Sequence, residues 1–169
     1  MKYIITFAGP PGSSKTPLAN YLSEKFNLPV FNNDSIRTEV TEDLLKFDEK
    51  EFRKRSLNRL AALFKTGNSF ILDASIDRQW KSYQEEILKS GYKVFIISLD
   101  LSQEFLIKLY KAKNYFKTFI DIDKFFAEHQ LFLSNYLSIV NLSINDSNFI
   151  NRLSLSEECL TIWLKNNGS

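Results

Sequence analysis

The chain is 169 residues long, room for one domain that hides roughly two-thirds of the surface its unfolded form would expose. With 44% hydrophobic and 25% charged residues it has the make-up of a soluble globular protein, and a net charge of +2 gives no field that argues by itself for a nucleic-acid or acidic-membrane partner. One cysteine, Cys159, and one histidine, His129, exclude a disulfide framework and a histidine-rich metal site; without an apolar run near ~20 residues or a signal-peptide cleavage region, a cytoplasmic protein is expected.

In chain order, Tyr3-Ile4-Ile5-Thr6-Phe7-Ala8 is a near-continuous β-prone run, the pattern of a strand covered on both faces. Leu18, Leu22 and Phe26 recur at helical spacing and predict a helix over residues 15–25, in whose first turn Pro17 is tolerated. Val30-Phe31 is a brief second strand. Asp34 can cap a short helix toward Val40, and Phe52, Leu57, Leu60, Leu63 and Phe64 mark a longer amphipathic helix over 49–65, stopped near Gly67. Residues 69–73 form a third strand, 80–88 a helix ended by Gly91, and 92–100 a fourth strand. Ser102 caps a helix to about Lys113, a further helix spans about 122–137, 139–144 is a fifth strand, and 156–165 a closing helix. Strands separated by helices predict an α/β fold, a parallel sheet of about five strands with helices on both faces, in one domain over 1–169.

Glycine is scarce, so the pair Gly9 and Gly12 between the first strand and first helix is informative. Gly9-Pro10-Pro11-Gly12-Ser13-Ser14-Lys15-Thr16 satisfies seven of the eight positions of the phosphate-loop pattern G-x-x-x-x-G-K-[ST]. Such a loop turns successive backbone N–H groups and the positive end of a helix toward a phosphate. Lys15 adds a mobile charge for the β and γ oxygens of ATP, and the Thr16 hydroxyl can take a place on Mg²⁺. The exception is Ser14, where the pattern wants glycine and a Cβ can strain the backbone. A helix start that merely carries Ser, Lys and Thr is the plainer alternative.

Three segments, GPPGSSKT, NNDSIRTEV and FILDASIDR, occur in that order. With them, residues 1–100 resemble the P-loop kinases of the small AAA-annotated group, relatives of polynucleotide kinases and nucleoside-monophosphate kinases. The rest of the chain matches only in layout. The resemblance implies a three-layer P-loop NTPase fold with a small helical lid near 109–121. It also implies transfer of the γ-phosphoryl group of Mg-ATP to a hydroxyl of a small-molecule or nucleotide acceptor. In the polynucleotide-kinase-like members, the Asp of a D-x-x-R motif receives the acceptor hydroxyl's proton and the Arg holds the acceptor; this carries over to Asp34 and Arg37. The alternative for that pair is a helix cap with an i,i+3 ion pair. Asp73, at the tip of the third strand, becomes a candidate for the Mg²⁺ shell, and Arg78 a ligand for substrate or phosphate. A turn-forming role for Asp73 stays open.

The chain departs from this pattern at Ser14 and in its lid, because 109–121 contains no arginine. Lys113 and Lys117 are the candidates for the missing charge, although lysine lacks the forked geometry of guanidinium and such a run can be a solvated helix face. His129, Cys159, Trp80 and Trp163 read as structural. The departures leave open a nucleotide-binding switch or weak NTPase without an acceptor, and a scaffold that no longer binds nucleotide. A nucleic-acid end as acceptor is disfavoured by the weak net charge.

Overall fold

The computed structural model describes residues 1–115 and 120–168. Five strands form one parallel sheet: β1 (Tyr3–Ala8), β2 (Val30–Asn32), β3 (Phe70–Ser75), β4 (Lys93–Leu99) and β5 (Leu142–Ile144), in the order β2-β3-β1-β4-β5. The helices are α1 (Lys15–Phe26), α2 (Asn33–Leu44), α3 (Glu49–Thr66), α4 (Trp80–Lys89), α5 (Gln103–Ala112), α6 (Ile122–Tyr136) and α7 (Arg152–Asn167). Short 3-10 turns at Leu137–Ile139 and Phe149–Asn151 flank β5.

Alternation along β1 creates the layers. Ile5 and Phe7 point into a cluster with Leu18 and Leu22 of α1, Leu106 and Tyr110 of α5, and Leu160 of α7. Ile4 and Ala8 point the other way, toward Ile36 of α2, Leu60 of α3, Trp80 and Ile87 of α4, and Phe132 of α6. Both faces are therefore dry, which explains why the strands read as continuous apolar runs rather than as polar–apolar alternation. The parallel sheet with helices on both faces agrees with the fold class expected from the sequence.

Several helix boundaries differ from the sequence expectation for local reasons. Asn32, not Asp34, caps α2: its Oδ1 accepts from the N–H groups of Asp34 and Ser35 at 2.7 and 3.2 Å. The helix continues to Leu44, beyond Val40. Glu39 and Asp43 there meet Arg55 of α3 at 2.7 and 2.5 Å, tying the helices together. The stretch expected to begin the fifth strand instead turns at Leu137–Ile139, which shortens β5 to Leu142–Ile144. Helix α7 begins at Arg152, a turn earlier than 156, straight from the Phe149–Asn151 turn. Ser102 does cap α5, accepting from the Phe105 N–H at 3.1 Å. Among the described residues no helix is long and apolar enough to cross a membrane.

The carboxyl ends of the strands gather the chemistry-bearing residues. β1 sends the chain toward β2 on one side, while β4 sends it on to β5 on the other, so the loops diverge around the end of β1. Pairing between β1 and β3 shifts after Thr6: Thr6 faces Leu72, but Phe7 faces Ser75. Asp73 falls in that bulge and is registered against Asn32 of β2.

Candidate functional site

Residues 9–16 leave β1 and enter α1 through three left-handed conformations: Gly9 at φ 137°, Gly12 at φ 73° and Ser14 at φ 91°. Space as well as dihedral demands the two glycines. A Cβ on Gly9 would lie 2.9 Å from the Leu99 Cβ, and one on Gly12 would lie 2.7 Å from Tyr110 Cε1. Ser14 adopts the glycine-like conformation at a cost of about 1–3 kcal/mol. Its hydroxyl is turned aside and accepts from Arg152 Nε at 2.9 Å, so the backbone turn that the pattern requires is kept.

Lys15 is partly buried and folds over this turn. Its ammonium donates to the carbonyls of Gly9 at 2.8 Å and Pro10 at 2.5 Å. Burial holds it down to about 8, against partial restoration by the charges of Asp77, Asp73 and Asp34. Two α5-side groups grip the other carbonyls: the Tyr110 hydroxyl donates to Pro11 O at 2.6 Å, and Lys113 Nζ to Gly12 O at 2.7 Å. Lys113 thus reaches the loop, while Lys117 lies outside the described residues, as does most of the segment expected to form the lid. Burial and the Arg152 charge both lower the Lys113 pKa, and burial lowers that of Arg152.

Asp73 is buried at the tip of β3 and accepts from Asn32 Nδ2 at 2.7 Å. Burial raises its pKa, against opposing pulls from the Thr16 hydroxyl and Lys15. Asp34 is exposed at the start of α2, released from capping by Asn32, and its charge is felt by both Lys15 and Asp73. Arg37 does not pair with Asp34; its guanidinium lies over the rings of Phe47 and Phe52, 4.3 and 4.8 Å from their centroids. The alternative for this pair, a helix cap with an i,i+3 ion pair, is therefore not what the fold shows. Arg78 is exposed, and its Nε stands 3.4 Å from Glu128 of α6.

Sequence reasoning did not single out Asp77 or Arg152, and it gave Asn32 no role of its own beside Asp34. Asp77, at the loop after β3, accepts the buried Gly9 N–H with both carboxylate oxygens at 3.0 and 3.1 Å. The fully buried His129 of α6 brings Nδ1 to 3.2 Å from Asp77 Oδ2, off the line of a hydrogen bond, and Nε2 to 3.5 Å from Ser98 Oγ. His129 is thus structural, as expected, but it backs the carboxylate that supports the phosphate loop. Asp77 stands four residues beyond Asp73 in the same DASID phrase, and Arg152 is the sole arginine after Arg78; these are the signals that were there to find. A shallow hollow of about 450 Å³ near Asp100, Phe126 and Asp146 opens beyond β4 and β5, and none of residues 9–16 lines it.

The sequence matches no protein-family model and no curated protein. The fold, however, has many counterparts among solved structures. An APS kinase from Mycobacterium tuberculosis, determined in complex with AMPPNP and APS, is 15% identical with a TM-score of 0.57, over 95% of this chain and 98% of that one. A gluconokinase from Sinorhizobium meliloti is 14% identical with a TM-score of 0.55, over 97% and 94%. A shikimate kinase from Bacteroides thetaiotaomicron is likewise 14% identical with a TM-score of 0.55, over 94% and 98%. At such identities the likeness is one of fold, which the chain shares with these three kinases over nearly its whole length.

Proposed function

We propose that this chain, as one domain over 1–169, is an ATP-dependent phosphotransferase that moves the γ-phosphoryl group of Mg-ATP to a hydroxyl of a small-molecule or nucleotide acceptor. The observation that carries the reading is the geometry of the loop: left-handed turns at Gly9, Gly12 and Ser14 open α1, and Lys15 folds over the loop carbonyls within the field of Asp77, Asp73 and Asp34. The turn and Lys15 suit a polyphosphate, and the carboxylates suit a metal shell and an acceptor proton. The fold shared with three kinases of small acceptors supports the same reading.

In this mechanism the amides at the helical end of the loop, those of Gly12, Ser14, Lys15 and Thr16, would face the β-phosphate, and Lys15 would turn from the Gly9 and Pro10 carbonyls to its oxygens. The oxygen donors at hand, the Thr16 hydroxyl and the Asp73 carboxylate it stabilises, fit Mg²⁺, which accepts one or two protein ligands beside phosphate and water. The ion supplies charge neutralisation to the phosphates. Asp34, exposed and uncapped, aligns the acceptor hydroxyl and takes its proton as the new phosphate ester forms and ADP departs. Arg37 and Arg78 would serve as acceptor ligands, each having first to leave its present partner.

Radiolabelled ATP offered with a panel of nucleosides, sugars and 5′-hydroxyl oligonucleotides tests this. Transfer to one class is expected, and the Asp34→Asn variant should lose at least about 100-fold in kcat while binding ATP as before. ATP binding without transfer to any acceptor would instead support a nucleotide-binding switch or weak NTPase. Absence of binding would leave only the scaffold. Label on an oligonucleotide end would move the acceptor to the polynucleotide class that the net charge disfavours.

A further inference from the structure

The two flanks of the phosphate loop are electrically unlike. On the acceptor side, Lys15 feels the charges of Asp34, Asp73 and Asp77. On the opposite flank stand Lys113 and Arg152, which grip residues 12 and 14 of the loop through Gly12 O and Ser14 Oγ. Among the described residues no carboxylate forms an ion pair with either cation, and Lys113 stands within the positive fields of Arg152 and Lys15. Two half-buried like charges side by side, each withdrawn from water, are costly to hold unless an anion joins them.

Arg152 is also built into place. It opens α7 immediately after the Phe149–Asn151 turn, its Nη1 donates to Phe149 O at 3.1 Å, and its guanidinium stacks on the Phe149 ring at 4.3 Å. With Nε committed to Ser14 and Nη1 to Phe149, the remaining edge of the fork is left for a ligand beside the loop. We propose that Arg152, seconded by Lys113, is a ligand of the nucleotide's phosphates, and that the Ser14 hydroxyl fixes its position. The inference rests on the kinase reading and deepens it. It provides the forked cation that 109–121 lacks and gives the glycine-to-serine departure at position 14 a purpose. A serine at left-handed φ is tolerated because its side chain holds the arginine.

Isothermal titration of wild type, Arg152→Gln and Arg152→Lys with Mg-AMPPNP, and with inorganic tripolyphosphate as a probe that lacks base and sugar, decides it. Arg152→Gln should weaken both ligands about 10- to 100-fold, the loss of a charge-assisted contact to phosphate. Arg152→Lys, which keeps the charge and loses the fork, should weaken them about 3- to 10-fold and serves if the glutamine variant folds poorly. In a Ser14→Gly background the Arg152→Gln step should cost less, because the anchor is gone. Wild-type binding with Arg152 variants inside twofold of it overturns the assignment of Arg152 and leaves the kinase reading standing. Failure of wild type to bind either probe sinks the kinase reading itself.

Discussion

The contact between Asp77 and Gly9 should be the most sensitive support of the phosphate loop. Gly9 is buried, its N–H has no strand partner past the end of β1, and the Asp77 carboxylate, with a side chain only 6% exposed, accepts it with both oxygens. Asp77→Ala removes a charged hydrogen bond of about 1.5–3 kcal/mol and strands that N–H, so a loss of roughly 2–3 kcal/mol is expected. For a chain of 169 residues each kcal/mol lowers Tm by about 2–4 °C, giving a drop of roughly 4–12 °C. Asp77→Asn keeps one carbonyl oxygen toward Gly9 and should lose only about 1 kcal/mol. Urea unfolding followed by tryptophan fluorescence, with the m-value checked for constancy, measures both, and calorimetry gives Tm. An alanine variant within about 0.5 kcal/mol of wild type would refute the reasoning. So would an asparagine variant as weak as alanine, since the oxygen toward Gly9 would then not be what matters.

Lys15 links the site to pH. Its pKa falls from 10.5 to about 8 on folding, chiefly through burial, so between those values the folded chain holds fewer protons than the unfolded chain and stability rises with pH. Lys15→Met escapes the penalty: its stability relative to wild type should be greatest below pH 8 and should shrink toward pH 10.5, and a difference that stays flat across urea titrations at several pH values would contradict the shift. The same variant should lose Mg-ATP-induced stabilisation in a thermal-shift assay, because a ligand selective for the native state must raise its Tm. In the core, Leu22→Ala, fully buried between α1 and the sheet, should cost about 2–5 kcal/mol in urea unfolding without shifting Mg-AMPPNP affinity measured by titration calorimetry; a cost under 1 kcal/mol would mean that this layer is loosely packed.

How much was legible in advance depended on the reach of the interaction. Residues 9–16 could be read as a turn because glycine scarcity, strand and helix lie within one short segment, and the left-handed φ values at Gly9, Gly12 and Ser14 are consequences of that local order. The cap of α2 was misplaced by two residues because Asn32 and Asp34 are both capping types, and only the Asn32 register against Asp73 on the neighbouring strand decides between them. The fifth strand, expected over 139–144, begins only at Leu142 because the chain leaves α6 through a 3-10 turn that takes in Ile139, an apolar residue that suits such a turn as readily as a strand.

Hydrophobic period and backbone dihedrals act over a few residues, so the alternation of strands and helices, the dry sheet and the glycine turn with Lys15 and Thr16 are written locally in the chain. What stands around that turn follows from long-range packing instead. Asp77 reaches Gly9 across 68 positions of the chain, Lys113 reaches Gly12 across 101, and Arg152 reaches Ser14 across 138. Charge acts through space, and the strand order brings the ends of β1, β3 and β4 to one edge, so the field at the phosphate loop is set by residues that no local pattern connects to it.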